Sequence, residues 1–184
     1  MPTPSRPLLG PAVLADPLVA ELLGRRLVAV FATHEPDGAI HAVAIWYAAH
    51  GEVVALATGS RSRKVANLAL DDRATLTLHD SRPGAEVCGA CLIGRAEVAS
   101  GEEARRWIEL VHRRYVREDA LGLPAVLEFL GSDDVAVLFR PERAFTWDER
   151  GSEAARVLAA SGTAHPLVPT SSAASGVPPE DPLQ

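Results

Sequence analysis

The pattern of apolar and polar positions is strand-like over Leu27 to Thr33, over Ala39 to Ala48 and over Glu52 to Thr58, short runs dominated by apolar residues. Turn-forming residues separate these runs, Pro36-Asp37-Gly38 and then His50-Gly51, so the pattern predicts an antiparallel meander of three strands. Ahead of it, Asp16 and Pro17 open a short helix with Leu18 and Leu22 on one face and Gly24 at its end, read as a lid or an edge. After Thr58-Gly59-Ser60 the period becomes helical from Arg63 to Leu70, with Val65, Leu68 and Ala69 toward the core. Strands resume at Ala74 to Asp80, where Thr75, Thr77 and His79 alternate with Leu76 and Leu78, followed by a loop at Ser81-Arg82-Pro83-Gly84. Glu86 to Ala99 predicts a long strand in which Gly89 and Gly94 mark bulges or sharp bends. Ser100 and Glu103 form a capping box for a helix reaching about Arg117, with Ala104, Ile108, Val111 and Tyr115 as its apolar stripe. A short helix from Pro124 to Gly131 and two strands, Asp134 to Phe139 and Arg143 to Trp147, complete the pattern.

About seven strands with helices inserted at intervals, and no alternation of strand with crossover helix, predict a mainly β, antiparallel, closed or partly open barrel. Residues 17–150 form the single domain, preceded by a flexible proline-rich segment at 1–16. Residues 151–184 are read as a low-complexity tail, since Ser, Thr, Ala, Gly and Pro dominate from Ser161 without periodicity.

Composition narrows the function. The 184 residues carry 18 Lys and Arg against 24 Asp and Glu, a net charge of −6, which argues against a general electrostatic grip on nucleic acid or an anionic membrane. Two cysteines, and no basic segment followed by an apolar run, are read as a cytoplasmic protein with reduced thiols. Any site for an anion must therefore be local.

The stretch from Ala57 to Leu68 supplies one: a strand ends in small residues and a helix opens among Arg61, Arg63 and Lys64. Amide groups and the positive dipole end favour a phosphate there, and three cations fall within four positions. The spacing is not that of a P-loop. Lys64 is the one lysine in the chain, the other basic residues all being Arg, which marks it as a compact ammonium placed for geometry. On the second strand Ile40, Ala42, Ala44 and Trp46 share a face, and the methyls of Ala42 and Ala44 leave a shallow floor where a flat ring could reach backbone amides. A ring there with a phosphate at the next helix describes a mononucleotide-like cofactor; a core strand beside a solvated basic loop is the plainer account of the same residues.

The order strand, turn, strand, Ala57-Thr58, Ser62-Arg63-Lys64, short helix, Asp72-Arg73-Ala74-Thr75-Leu76 and then Ile93-Gly94-Arg95-Ala96-Glu97 resembles the pyridoxamine phosphate oxidase-like, flavin-binding split barrels over about residues 17–150. The resemblance implies a split β-barrel homodimer with two cofactor sites at its interface and flavin mononucleotide as cofactor. Arg63 and Lys64 would hold the terminal phosphate with help from Arg61 and Ser62; Thr58, with Ala57 before it, would lie beside the flavin. Backbone of Val43, Ala44, Ile45 and Trp46 would meet the ring edge, and Trp147 would reach the partner's site. Two family features are missing: Ala42 to Tyr47 holds no Arg or Lys, and Asp148-Glu149-Arg150-Gly151 stands where the Arg-Leu-His-Asp-Arg motif would follow Trp147. Both losses remove contacts to a phosphorylated substrate. The implied activity is thus a flavin-dependent oxidoreductase moving a hydride to or from a small organic substrate, with a deazaflavin as alternative cofactor. The alternative class is a protein that holds flavin, a tetrapyrrole-like ring or a phosphorylated ligand without turnover.

No catalytic residue is assigned; His41 and Tyr47 share a face with Val43 but nothing in the sequence places them at a substrate. Cys88 and Cys91 fall on opposite faces of a strand and are read as small core residues, and the six histidines show no metal-ligand spacing. His112 to Arg117 is read as a basic helix end pairing with the negative dipole end, or as a segment reaching the other subunit's pocket.

Overall fold

The computed structural model describes residues 8–10, 12–82, 86–130 and 133–161. Strands β1 (Leu8–Leu9), β2 (Ala29–His34), β3 (Ile40–Ile45), β4 (Tyr47–His50), β5 (Val53–Gly59), β6 (Arg73–Arg82), β7 (Glu86–Ala99) and β8 (Asp134–Asp148) form one antiparallel sheet. Helices are α1 (Ala12–Ala15), α2 (Pro17–Gly24), α3 (Arg63–Leu68), α4 (Gly101–Tyr115), α5 (Pro124–Leu130) and α6 (Glu153–Ser161). No described helix is long and apolar enough to cross a membrane.

The hydrogen-bonded path runs β3-β2-β6-β7-β8-β5-β4, so β3 and β4 lie at its two ends although only Trp46 separates them in the chain. A sheet whose two ends are tied by one residue must curl into a barrel. The single strand expected over Ala39 to Ala48 is therefore two: its first half pairs with β2 and its second with β5. The curl is helped at Gly94, where the β7–β8 register shifts opposite Pro141, the bulge that the glycine predicts. Conversely, the two strands expected near the end are the continuous β8.

One core fills the barrel, with Phe31, Tyr47, Leu56, Leu76, Leu78, Leu92 and Phe139 fully buried. Helix α2 adds Val19, Leu22 and Leu23 to this core, so it plugs the barrel instead of forming a lid. Its start is as predicted, the Asp16 carboxylate accepting from the amides of Leu18 (3.0 Å) and Val19 (3.1 Å). Its end is not a glycine turn. The orphan carbonyls there are taken up from a distance: the Tyr47 hydroxyl lies 3.0 Å from Leu22 O and 2.8 Å from Arg25 O, and the Arg114 guanidinium donates to Leu23 O and Arg25 O.

A second core lies under α4, where Ala104 and Val111 cover Ala48, Ala55, Ala136 and Leu138. Ser100 stands at the N-cap of α4, but its side chain makes no capping bond, so the expected capping box does not close. Outside residues 17–150, Leu8–Leu9 pairs with Arg143 and Ala144, and α6 starts where a tail was expected, with Ser152 Oγ accepting from the Ala155 amide at 3.1 Å. The rest of that tail, from 162 on, lies outside the described residues, as do the turn at Pro83-Gly84 and the helix stop at Gly131.

Candidate functional site

A cavity of about 460 Å³ opens at the seam of the barrel, and Val43, Ala44, Ile45, Trp46, Ala57, Thr58 and Lys64, all proposed from sequence, line it. Val43, Ala44 and Ile45 are consecutive in β3 and cannot all reach one cavity through side chains alone, because strand neighbours point to opposite faces. The cavity therefore meets the chain edge-on, along backbone. That edge belongs to β3, the last strand of the hydrogen-bonded path, so alternate N–H and C=O groups there have no partner strand among those described. Trp46, at the joint between β3 and β4, is fixed by a parallel stack on Tyr115 with ring centres 4.9 Å apart.

The polar end is built by β5 and α3. Lys64 is half-buried, and its Nζ donates to Thr58 Oγ1 at 2.8 Å, while that hydroxyl faces Ser62 Oγ at 3.3 Å. Burial lowers the pKa of Lys64, and the nearby Asp134 carboxylate opposes that shift. An ammonium with one protein hydrogen bond among the described residues has donor capacity left for an anion in the cavity. Because α3 is only six residues long, the charge of Lys64 matters more here than the helix dipole the sequence invited.

The other predicted contacts divide. Ser62 is the N-cap of α3 and touches Thr58, but does not line the cavity. Arg63 points to the surface, where it pairs with Glu35 at 3.1 Å, and Arg61 is exposed outside the cavity lining. Trp147 lies thirteen positions along β8 from Asp134, roughly 40 Å of extended chain. It packs on Gly89, whose missing Cβ leaves room for the indole, and faces His79 with ring centres 6.3 Å apart. Of the two other candidates on the second strand, Tyr47 is a core residue with its hydroxyl tied to α2, and His41 Nδ1 stands 3.9 Å from Glu35.

Four lining residues escaped the sequence reading: Val28 and Gly59, which carry no polar side chain, and the titratable His112 and Asp134. His112 is buried on the inner side of α4 in the same chain, with Nε2 3.8 Å from an Asp134 carboxylate oxygen. Burial lowers its pKa, against the pull of Asp134. The one available signal was its position next to Val111 on the apolar stripe, which the basic run from Arg113 obscured. Asp134 reaches the cavity because it pairs with Gly59 across the β5–β8 ladder, a register no local pattern contains. Among the described residues no group of His, Cys, Asp and Glu could hold a metal ion, and Cys88 and Cys91 are free thiols, one buried and one half-buried.

A sequence-family model described as pyridoxamine 5'-phosphate oxidase matches residues 15–148. Among solved structures, a conserved hypothetical protein of Mycobacterium tuberculosis, Rv2991, is 26% identical with a TM-score of 0.62, covering 86% of this chain and 94% of its own. An F420 reductase is 24% identical with a TM-score of 0.52, over 67% of this chain and 93% of its own. The heme storage protein HutZ of Vibrio cholerae shares the fold at 13% identity and a TM-score of 0.53, over 71% of this chain and 92% of its own. No curated protein matches the chain in sequence.

Proposed function

The chain belongs to the pyridoxamine 5'-phosphate oxidase family, and from that premise we propose that it is an oxidoreductase binding flavin mononucleotide in the seam cavity. The observation that carries this reading is the pairing of an open strand edge with a half-buried ammonium at the two ends of one cavity. Its volume, about 460 Å³, falls in the range of roughly 300–1,000 Å³ usual for cofactor and ligand pockets. The flat apolar ring would lie along Val43 to Trp46, taking hydrogen bonds from the β3 backbone, with Thr58 beside it and its phosphate at Lys64. When bound, the flavin supplies the hydride chemistry, and the protein's part is to hold the ring, shield it and neutralise its charge. With no cation on the second strand, a phosphorylated substrate has no obvious seat beside that ring, which favours a different small organic substrate over a vitamin B6 phosphate.

A deazaflavin is the second reading, favoured by Arg61 and Arg63 outside the cavity. Their exposed side chains suit a longer, more acidic tail that leaves the pocket.

The active unit in this reading is a homodimer. Outward positions of the sheet form an apolar row, Ala44 beside Val30, Val30 beside Thr77, Thr77 beside Cys91 and Cys91 beside Phe145. Val30 is 46% exposed and Phe145 42%, too much apolar surface to leave uncovered. Ala44 belongs both to this row and to the cavity wall, so a second copy on the row would also complete the cavity. In such a dimer Trp147, which does not line its own chain's cavity, would cover the partner's.

Titration of the purified protein with flavin mononucleotide, followed by flavin fluorescence and then by bleaching with an electron donor and recovery with an acceptor, tests the proposal. Lys64→Ala should weaken binding at least about tenfold, the scale of a charge-assisted hydrogen bond. Failure of the wild type to bind either flavin mononucleotide or the deazaflavin refutes it; binding without redox turnover leaves a storage or carrier protein.

A further inference from the structure

Among the described residues, the titratable side chains lining the seam cavity are Lys64, Asp134 and His112. A carboxylate is an odd neighbour for a phosphate site, and it is Asp134 that acts electrostatically on both Lys64 and His112. We propose that His112 is a switchable second cation of this site, taking up a proton as a phosphate settles beside Lys64 and releasing it when the phosphate leaves. This rests on the flavin reading above and adds to it a residue and a proton that the family resemblance does not assign.

The charges set the direction. Without a ligand, the ammonium and the carboxylate balance, and burial weighs against the charged imidazole. A phosphate dianion adds two negative charges to that set, and the base able to answer them is the imidazole, already turned toward Asp134. The other charged groups near His112, among them Arg105, Glu109, Arg113 and Asp133, which share a second cavity with it, have hydrogen-bond or ion-pair partners of their own. Arg113 pairs with Glu109 and Glu118 on the exposed side of α4, and Arg105 pairs with Glu102. Arg114 caps the end of α2. Asp133 precedes Asp134, and the Ser60 hydroxyl donates to its carboxylate. On β4, His50 lies against Trp107, more than a turn away along α4. The β5 residues at the site, Ala57 to Gly59, carry no charge.

The proton also has a route. His112 and Asp134 also line that second cavity, of about 540 Å³. Solvent can deliver a proton to the imidazole from there while the ligand occupies the seam. The step is a simple one: water or buffer gives up a proton, an N–H bond forms on the ring, and no electron moves.

The test is the affinity for flavin mononucleotide between pH 7 and pH 8.5, where a phosphate with a second pKa near 6 remains dianionic. Wild type should bind more weakly as pH rises, by up to about tenfold per unit. Riboflavin, without the phosphate, should show no such trend, and His112→Asn should lose it. Calorimetry in buffers of different ionisation enthalpy should count a proton taken up by the wild type and none by His112→Asn. Asp134→Asn keeps the test open if the histidine variant does not fold: with the like charge gone, flavin mononucleotide should bind about tenfold tighter at pH 8.5. A pH trend of the same size in His112→Asn, or binding by Asp134→Asn no tighter than wild type, overturns the proposal while the flavin reading stands. A wild type that binds no flavin mononucleotide at any of these pH values overturns both.

Discussion

Replacing Gly94 by alanine offers the sharpest test of the barrel that frames the site. A Cβ at this position would lie 2.0 Å from Arg140 O, 2.8 Å from Pro141 Cα and 2.9 Å from Arg140 C, against 3.4 Å or more for ordinary contact. All three atoms are backbone, and they belong to the strand that pairs with β7 through the bulge. No rotamer change can relieve the clash, so β8 must move by an ångström or more, or the ladder must open. Overpacking a site that can adjust costs about 1–3 kcal/mol, and this one sits at the upper end because the obstacle is main chain. In a domain of this size about 3 kcal/mol lowers the melting temperature by roughly 6–12 °C. Gly24→Ala is the matched control. It makes the same chemical change at the last position of α2, with nothing within 4 Å of the new Cβ and no positive φ, and should be neutral or stabilising by up to about 1 kcal/mol. Thermal unfolding followed by circular dichroism reads both. If Gly94→Ala melts within 2 °C of the wild type, to order of magnitude, the close β7–β8 approach is wrong.

Two further outcomes follow from the same packing. Tyr47 is fully buried, and burial pushes its pKa up to about 12. A raised folded-state pKa means stability is intact below about pH 10, the unfolded value, and is lost by about 1.4 kcal/mol per unit as pH rises toward 12. Tyr47→Phe should cost about 1–2 kcal/mol at pH 7, because the carbonyls at the end of α2 lose a donor, and should remove this residue's share of the alkaline decline; denaturant titrations at pH 8, 10 and 11 check both. Val30→Glu puts a charge in the middle of the exposed apolar row and should turn a dimer into monomers by light scattering; a wild type with the mass of one chain would exclude the dimer itself.

The parts of this molecule that were legible in the sequence are those set by local chemistry. Local pattern located β2, β5, β6 and β7, Asp16 and Pro17 located the start of α2, and Gly94 marked the bulge, because each acts through its own backbone or its nearest neighbours. Lys64 was legible through its uniqueness and its place after a strand end. What could not be read depends on residues far apart in the chain. The end of α2 looks like a glycine stop but is held by Tyr47 and Arg114, 25 and 91 positions from the carbonyls they reach. Arg63 looks like Lys64's equal in sequence, yet a helix turns neighbouring side chains well apart, sending one to Glu35 and the other to Thr58. His112 and Asp134 meet only because α4 packs across β5 and β8.

The seam explains why these distant contributions gather in one place. An uncovered strand edge is a hazard, and proteins commonly blunt it with lysine, proline, a bulge or a covering segment. The β3 sequence, Ile40 to Ile45, contains none of those residues: it is Ile-His-Ala-Val-Ala-Ile, apolar but for His41. The edge is instead set against a cavity whose far end holds a half-buried ammonium. The first leaves a strand edge open to unwanted pairing, and the second is a charge partly removed from water. A single ligand with a flat hydrogen-bonding ring and an anionic tail satisfies both together. A ligand lacking either half leaves one of them unmet, so riboflavin and free phosphate should each bind this chain far more weakly than the two joined in one molecule.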